Sequence, residues 1–133
     1  MGVFVNASIE EVLQMVDECR LHMVQLHGDE DASYCAQVNK IVPVIKVFRV
    51  GAALPNFDGY EQAASYFLFD TDSALYGGTG SHFNWELLKN TLIPKPFFLS
   101  GGIGPNDVQG LQVMAQTKAG KTMLGVDLNS QFE

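Results

Sequence analysis

Leu68-Phe69-Asp70-Thr71-Asp72-Ser73-Ala74-Leu75-Tyr76-Gly77-Gly78-Thr79-Gly80 is the stretch that decides how this chain is read. A short apolar run, Tyr66 to Phe69, ends in a carboxylate, and a glycine-rich loop, Gly77 to Gly80, follows at once. An acid at the C-terminal tip of a buried strand, beside such a loop, is where parallel α/β proteins place catalytic groups. The layout recurs on either side, in Leu26-His27-Gly28-Asp29-Glu30 and in Leu99-Ser100-Gly101-Gly102.

Outward from that stretch, the pattern predicts strands at Gly2–Val5 (buried), His22–Leu26, Val44–Val50, Tyr66–Phe69, Phe97–Leu99 and Met123–Leu128. A helix candidate fills each gap. Ser8-Ile9-Glu10-Glu11 is a capping box, and Ile9, Val12, Leu13, Val16 and Cys19 mark one helical face behind it. Asp31 or Ser33 caps a shorter helix through about Val38, and Tyr60–Ser65 reads as a weak helix. Trp85–Lys89 is a short helix with Asn84 as its cap. Pro105 suits the first turn of a helix whose apolar surface is Val108, Leu111, Val113 and Met114. Alternating βα units at this spacing imply an α/β fold with a parallel sheet. Asn6, His27-Gly28, Arg49, Asp70, Ser100-Gly101-Gly102 and Asp127 then fall at the C-terminal strand ends. Periodicity leaves open whether the sheet is doubly wound or part of a barrel.

The 133 residues suffice for one domain with its own core, and an apolar content of 47% argues against disorder. A net charge of −7 makes nucleic acid an unexpected partner. A small phosphate needs no net positive charge, because backbone N–H groups can hold it. No apolar run is long enough for a membrane-spanning helix, so no membrane partner is expected. Cys19 and Cys35 are separated by fifteen residues and lack nearby metal-ligand spacing. They read as reduced thiols of a cytoplasmic protein, both filling apolar space, and no metal site is expected.

Several segments in series resemble the phosphoribosylanthranilate isomerase family, the third-step enzyme of tryptophan biosynthesis. They are Gly2-Val3-Phe4-Val5-Asn6, Val24-Gln25-Leu26-His27-Gly28-Asp29-Glu30, Val44-Ile45-Lys46, Phe69-Asp70-Thr71, Tyr76-Gly77-Gly78-Thr79-Gly80, Phe83-Asn84-Trp85 and Leu99-Ser100-Gly101-Gly102 with Pro105-Asn106-Asp107-Val108. The resemblance implies a (β/α)8 TIM barrel of roughly 200 residues, at the short end for that fold. Residues 1–133 would supply parallel strands three to eight with their intervening helices, as a single incomplete barrel domain. The first two βα units and the last helix would be absent.

The family reaction is an Amadori rearrangement of an aminoaldose phosphate to an aminoketose phosphate, an intramolecular oxidation–reduction that needs no metal or organic cofactor. It uses a general acid for the ring oxygen and a general base for the C2 proton. The resemblance implies that Asp70 is the acid. Burial at an apolar strand end favours the proton-bearing form such an acid needs. The alternative is a structural carboxylate bracing the Gly77–Gly80 loop. His27 and Asp127 are implied to contact substrate; for His27 the alternative is a ring satisfied by a neighbouring loop. Ser100, Gly101, Gly102, Asn129 and Ser130 are implied to hold the phosphate, although a plain strand-to-helix turn would use the same glycines. Where many family members have Val-Asp-Val-Ser-Ser-Gly-Val-Glu, this chain has Val126-Asp127-Leu128-Asn129-Ser130-Gln131-Phe132-Glu133.

The family's base is a cysteine in a first-strand Lys-Ile-Cys-Gly segment, which these 133 residues lack. The chain alone is therefore expected to be inactive. The expected partners are a small phosphorylated substrate and either a second copy of the chain or the missing N-terminal segment. The alternative function is a non-catalytic truncated barrel that works by association with another chain. A different phosphate-binding barrel enzyme, such as indole-glycerol-phosphate synthase, fits the Gln-Leu-His-Gly and Tyr-Gly-Gly-Thr-Gly pair less well. Lys46 either pairs with an acid such as Asp70 or Asp127 or snorkels from the strand end. His22 and His82 read as surface or loop residues, and Phe83 and Trp85 as anchors for the helix after the glycine-rich loop.

Overall fold

A computed structural model of the chain describes residues 1–72 and 82–128. Six strands, β1 (Gly2–Phe4), β2 (Val24–Leu26), β3 (Val44–Val50), β4 (Tyr66–Thr71), β5 (Phe97–Leu99) and β6 (Met123–Val126), hydrogen-bond in sequence order in one parallel sheet. The helices are α1 (Ile9–Glu18), α2 (Ala32–Asn39), α3 (Glu86–Lys89) and α4 (Val108–Ala115). The chain divides into two compact units, residues 1–48 with 57–67, and residues 49–56 with 68–133.

In the first unit β1 pairs with β2 in register Gly2 to Val24, and β2 pairs with β3 in register Val24 to Val44. All of β2 is buried and all of β3 except Arg49, as in parallel strands covered on both faces, with Gln25 and Lys46 the polar residues among the buried ones. The capping box forms: Ser8 Oγ accepts from Glu11 N at 3.2 Å while the Glu11 carboxylate accepts from Ser8 N at 2.9 Å. Asp31, rather than Ser33, caps α2 by accepting from Tyr34 N at 2.8 Å. Cys35 and Val38 are the buried residues of that helix.

Three expectations for this unit are corrected. Tyr60–Ser65 forms turns rather than a helix. The Phe48 ring lies edge-on to Phe57, Tyr60 and Phe67 at 6.0, 5.2 and 5.0 Å, and this cluster rather than helical periodicity sets the backbone. Val3 and Val5 are 56% and 63% exposed, because β1 alternates and directs Gly2 and Phe4 inward. Cys19 fills no apolar space: it is the exposed C-cap of α1. Only Cys35 is buried, and burial pushes its thiol up to about 11. A thiol reagent at neutral pH should therefore modify Cys19 at once and Cys35 only after denaturant is added. Two fast thiols in the folded chain would contradict that packing.

In the second unit β5 pairs with β6, with a bulge between Phe97 and Phe98. Phe69 and Phe97 meet edge-on at 5.4 Å, and Phe83, Leu88, Ile93, Leu99 and Met114 are buried. Asn84 Oδ1 accepts from Glu86 N at 3.0 Å at the start of α3, as its sequence position suggests. Pro105 opens a 3-10 turn, Pro105–Asp107, that runs directly into α4. Met114 is the buried residue of α4, while Val108 and Val113 are 53% and 52% exposed, so the expected apolar surface is narrower than it reads.

Candidate functional site

Three parallel strands of the second unit end in polar residues. The last two residues of β4 are Asp70 and Thr71, Ser100 follows β5, and Asp127 follows β6. Ser100 N donates to Phe69 O at 2.9 Å and Asp127 N to Leu99 O at 2.7 Å, so each residue continues the ladder of its own strand. Asp70 is half-buried and accepts from Thr71 N at 2.9 Å. Thr71 Oγ1 donates to Gly101 O at 3.0 Å and accepts from Phe83 N at 3.0 Å. That hydroxyl ties the turn after β5 to the end of β4.

Gly101 is required here for two reasons. Its φ of +84° lies in the left-handed region, where a side chain is strained. A methyl group there would also strike Asp70 Oδ1 and stand 2.6 Å from Thr71 N. Gly102 follows with φ +70°. On the next strand end, Ser100 Oγ donates to Asp127 Oδ2 at 3.3 Å. Asp70, Ser100, Gly101, Gly102 and Asp127 thus stand together. Asn129, Ser130 and the Gly77–Gly80 loop lie outside the described residues.

The first unit holds a second polar cluster that the sequence reading largely missed. His27 N donates to Phe4 O at 2.8 Å. Its Nδ1 lies 3.1 Å from Nε2 of buried Gln25. The turn at Gly28 closes on a buried ion pair, Lys46 Nζ to Glu30 Oε2 at 2.9 Å. Lys46 also donates to Gly28 O at 2.8 Å, and Glu30 accepts from Gly28 N at 2.9 Å and from Asn6 N at 3.0 Å. Burial pulls the Glu30 carboxyl upward, but the Lys46 ammonium and the backbone N–H groups of Asn6 and of Glu30 itself outweigh it and hold the group below its usual range. Lys46 therefore pairs with neither Asp70 nor Asp127. Its partner is Glu30, sixteen residues away, and spacing alone could not choose among fifteen acids. The only sequence signal was a Lys inside an apolar strand, which demanded some buried counter-charge.

His82 lies in the loop before α3, as expected, and is half-buried there. Its ring stacks on Trp85 at 3.9 Å, Nδ1 faces Phe83 O at 2.7 Å, and Nε2 faces Asp107 Oδ1 at 3.2 Å. His82, Phe83, Trp85, Gln109, Gly110 and Met114 line a cleft of about 480 Å³, to which Asp70, Ser100, Gly101 and Asp127 contribute nothing. Among the described residues, no group of three His, Cys, Asp or Glu stands close enough to hold a metal ion, and no helix is long and apolar enough to cross a membrane.

Residues 1–133, the full length of the chain, match the family described as N-(5'-phosphoribosyl)anthranilate (PRA) isomerase. The chain belongs to that family. The N-(5'-phosphoribosyl)anthranilate isomerase of Phocaeicola vulgatus is 41% identical over 136 residues, covering all of this chain and 64% of the relative. A structure of monomers of the dimeric isomerase of Thermotoga maritima superposes with TM-score 0.71 at 26% identity, over 99% of this chain and 61% of that one. A family structure in complex with reduced 1-(o-carboxyphenylamino)-1-deoxyribulose 5-phosphate gives TM-score 0.62 at 28% identity, over 99% and 60%. The chain spans about three-fifths of the length of these relatives. Its fold is that of part of the family's (β/α)8 barrel, with parallel strands and intervening helices.

Proposed function

We propose that residues 1–133 carry the acid half and part of the phosphate site of an N-(5'-phosphoribosyl)anthranilate isomerase of cytoplasmic tryptophan biosynthesis. The observation that carries this reading is the Asp70 carboxylate set against Gly101, with Thr71 bonded to the same turn. In the reaction, the Asp70 carboxyl gives its proton to the ribose ring oxygen as the C1–O bond breaks, and the anilino nitrogen lone pair takes up the electron demand at C1. A general base then removes the C2 proton to give an enaminol, and C1 takes up a proton as the C2 hydroxyl loses its own and becomes the ketone. Atoms and charge balance across these three steps without an outside oxidant, since C2 is oxidised as C1 is reduced. The turn Ser100-Gly101-Gly102, with Asn129 and Ser130, holds the phosphate, while His27 and Asp127 contact the sugar or the anthranilate ring. A relative's complex with a reduced ribulose 5-phosphate analogue supports this ligand class.

Neither cysteine suits the base role. Cys35 sits inside α2 with its thiol pushed up to about 11, and Cys19 caps α1. These 133 residues alone are therefore expected not to turn over phosphoribosylanthranilate. The test is a hybrid in which residues 1–133 replace the matching stretch of the Phocaeicola vulgatus isomerase. Loss of substrate fluorescence should follow addition of the hybrid and not of the 133-residue chain. A folded but inert hybrid would reject the reading.

A second reading, association without catalysis, is favoured by one observation. The terminal strands expose apolar side chains, Val3 on β1 and Leu124, 56% exposed, on β6, and Val5 and Leu128, just past the ends of these strands, are exposed as well. Sheet edges with apolar flanks recruit further strands. Light scattering of the 133-residue chain should show species heavier than one chain, and a monodisperse monomer would count against association.

A further inference from the structure

We propose that Gln25 is a positioning residue for His27, fixing the imidazole as the neutral tautomer with its proton on Nε2. The inference rests on the reading of His27 as a substrate-side residue.

Strand geometry sets the pair up. Side chains two apart along an extended chain share a face, so Gln25 and His27 point the same way, one at the buried middle of β2 and the other just past its end. Gln25 is 6% exposed, and an amide placed so deep needs a partner. Its Nε2 stands 3.1 Å from His27 Nδ1. The NH2 group of an amide only donates, so Nδ1 must supply a lone pair and the ring proton must sit on Nε2.

The main chain under the ring is fixed separately. Glu30 and Lys46 hold the amide and the carbonyl of Gly28. Asn6 Oδ1 accepts from Asp29 N at 2.7 Å and fills the space a Gly28 side chain would need. The ion pair sets where the turn lies, and Gln25 sets which nitrogen of the ring donates. A neutral Nε2–H is a hydrogen-bond donor and not a base. It suits an acceptor oxygen of the substrate, and it leaves proton removal at C2 to another group.

The test is long-range nitrogen–proton correlation NMR of the uniformly labelled 133-residue chain with its rings neutral. In the wild type, His27 should carry its proton on Nε2, and a coupling across the hydrogen bond should link Gln25 Nε2 to His27 Nδ1. Gln25→Glu replaces the donor by an acceptor and should move the ring proton to Nδ1. A Nδ1–H tautomer in the wild type, or no cross-bond coupling together with a freely exchanging Gln25 amide, overturns the proposal even if the variant does not fold. In the hybrid, Gln25→Leu should lower kcat/KM roughly tenfold, the loss of about one hydrogen bond. Adding the reduced ribulose 5-phosphate analogue to the hybrid separates the two ideas. If the tautomer is as stated and the His27 signals do not move, the substrate role of His27 fails while the hold of Gln25 on the ring stands. If the signals move but the proton sits on Nδ1, the Gln25 assignment alone fails.

Discussion

Lys46→Met should destabilise the chain by about 3–5 kcal/mol, the usual penalty for removing one member of a buried ion pair. Lys46 and Glu30 are 3% and 5% exposed, so water cannot replace the missing partner. The methionine fills the volume of the lysine stem but leaves Gly28 O and Glu30 Oε2 without the ammonium that bonded both. Adding Glu30→Gln to Lys46→Met removes the orphaned charge and should recover part of the loss, which separates lost attraction from stranded charge.

The pH dependence has a defined sign. In the wild type the Glu30 carboxyl is held below its unfolded value, so its stabilisation is present above the normal glutamate range and is lost as pH falls through the lower, folded value. In Lys46→Met the strongest opposing group is gone and burial dominates. The penalty should shrink as pH falls and Glu30 takes up a proton. Urea denaturation of the wild type and the two variants across pH measures all of this. A Lys46→Met penalty under about 1 kcal/mol would mean that the pair is solvated rather than buried.

Asp70→Asn in the hybrid should lower kcat by a factor on the order of 10² to 10⁴, the usual worth of a general acid. Asparagine keeps the shape and can still accept from Thr71 N through its amide oxygen, so the close approach of Gly101 survives. What it cannot do is release a proton to the ribose ring oxygen. Phosphate affinity, read from KM or from inhibition by the reduced analogue, should change little, because the turn at Ser100-Gly101-Gly102 keeps its backbone. A variant with unchanged turnover would remove Asp70 from the acid role. A variant that lost analogue binding as well would make Asp70 a brace for the turn.

Strands and caps were the legible part of this fold. Apolar runs ending in a polar residue gave all six strands, and β3 and β5 have the bounds expected. Ser8 with Glu11, and Asp31, act through bonds three residues long, so short sequence windows contain all the information they use. Tyr60–Ser65 failed because ring contacts with Phe48 and Phe67 override a weak local preference. Val3 and Val5 failed because an apolar strand reads as buried whatever stands beside it.

At the site, a chain motif could mark Asp70 and Gly101 one by one, but only coordinates put them in contact. The Lys46–Glu30 pair and the bond from Gln25 to His27 needed the fold, since each depends on side chains meeting across or along buried strands. His82 shows the same limit, for its carboxylate partner Asp107 lies 25 residues on.

A crystal structure of the hybrid with the reduced ribulose 5-phosphate analogue bound is the most direct measurement. The phosphate is predicted on the N–H groups of the Ser100-Gly101-Gly102 turn, with an Asp70 carboxyl oxygen within hydrogen-bond distance of a ribulose oxygen. A phosphate bound away from that turn, or a ribulose chain out of reach of Asp70, would contradict the assignment of both.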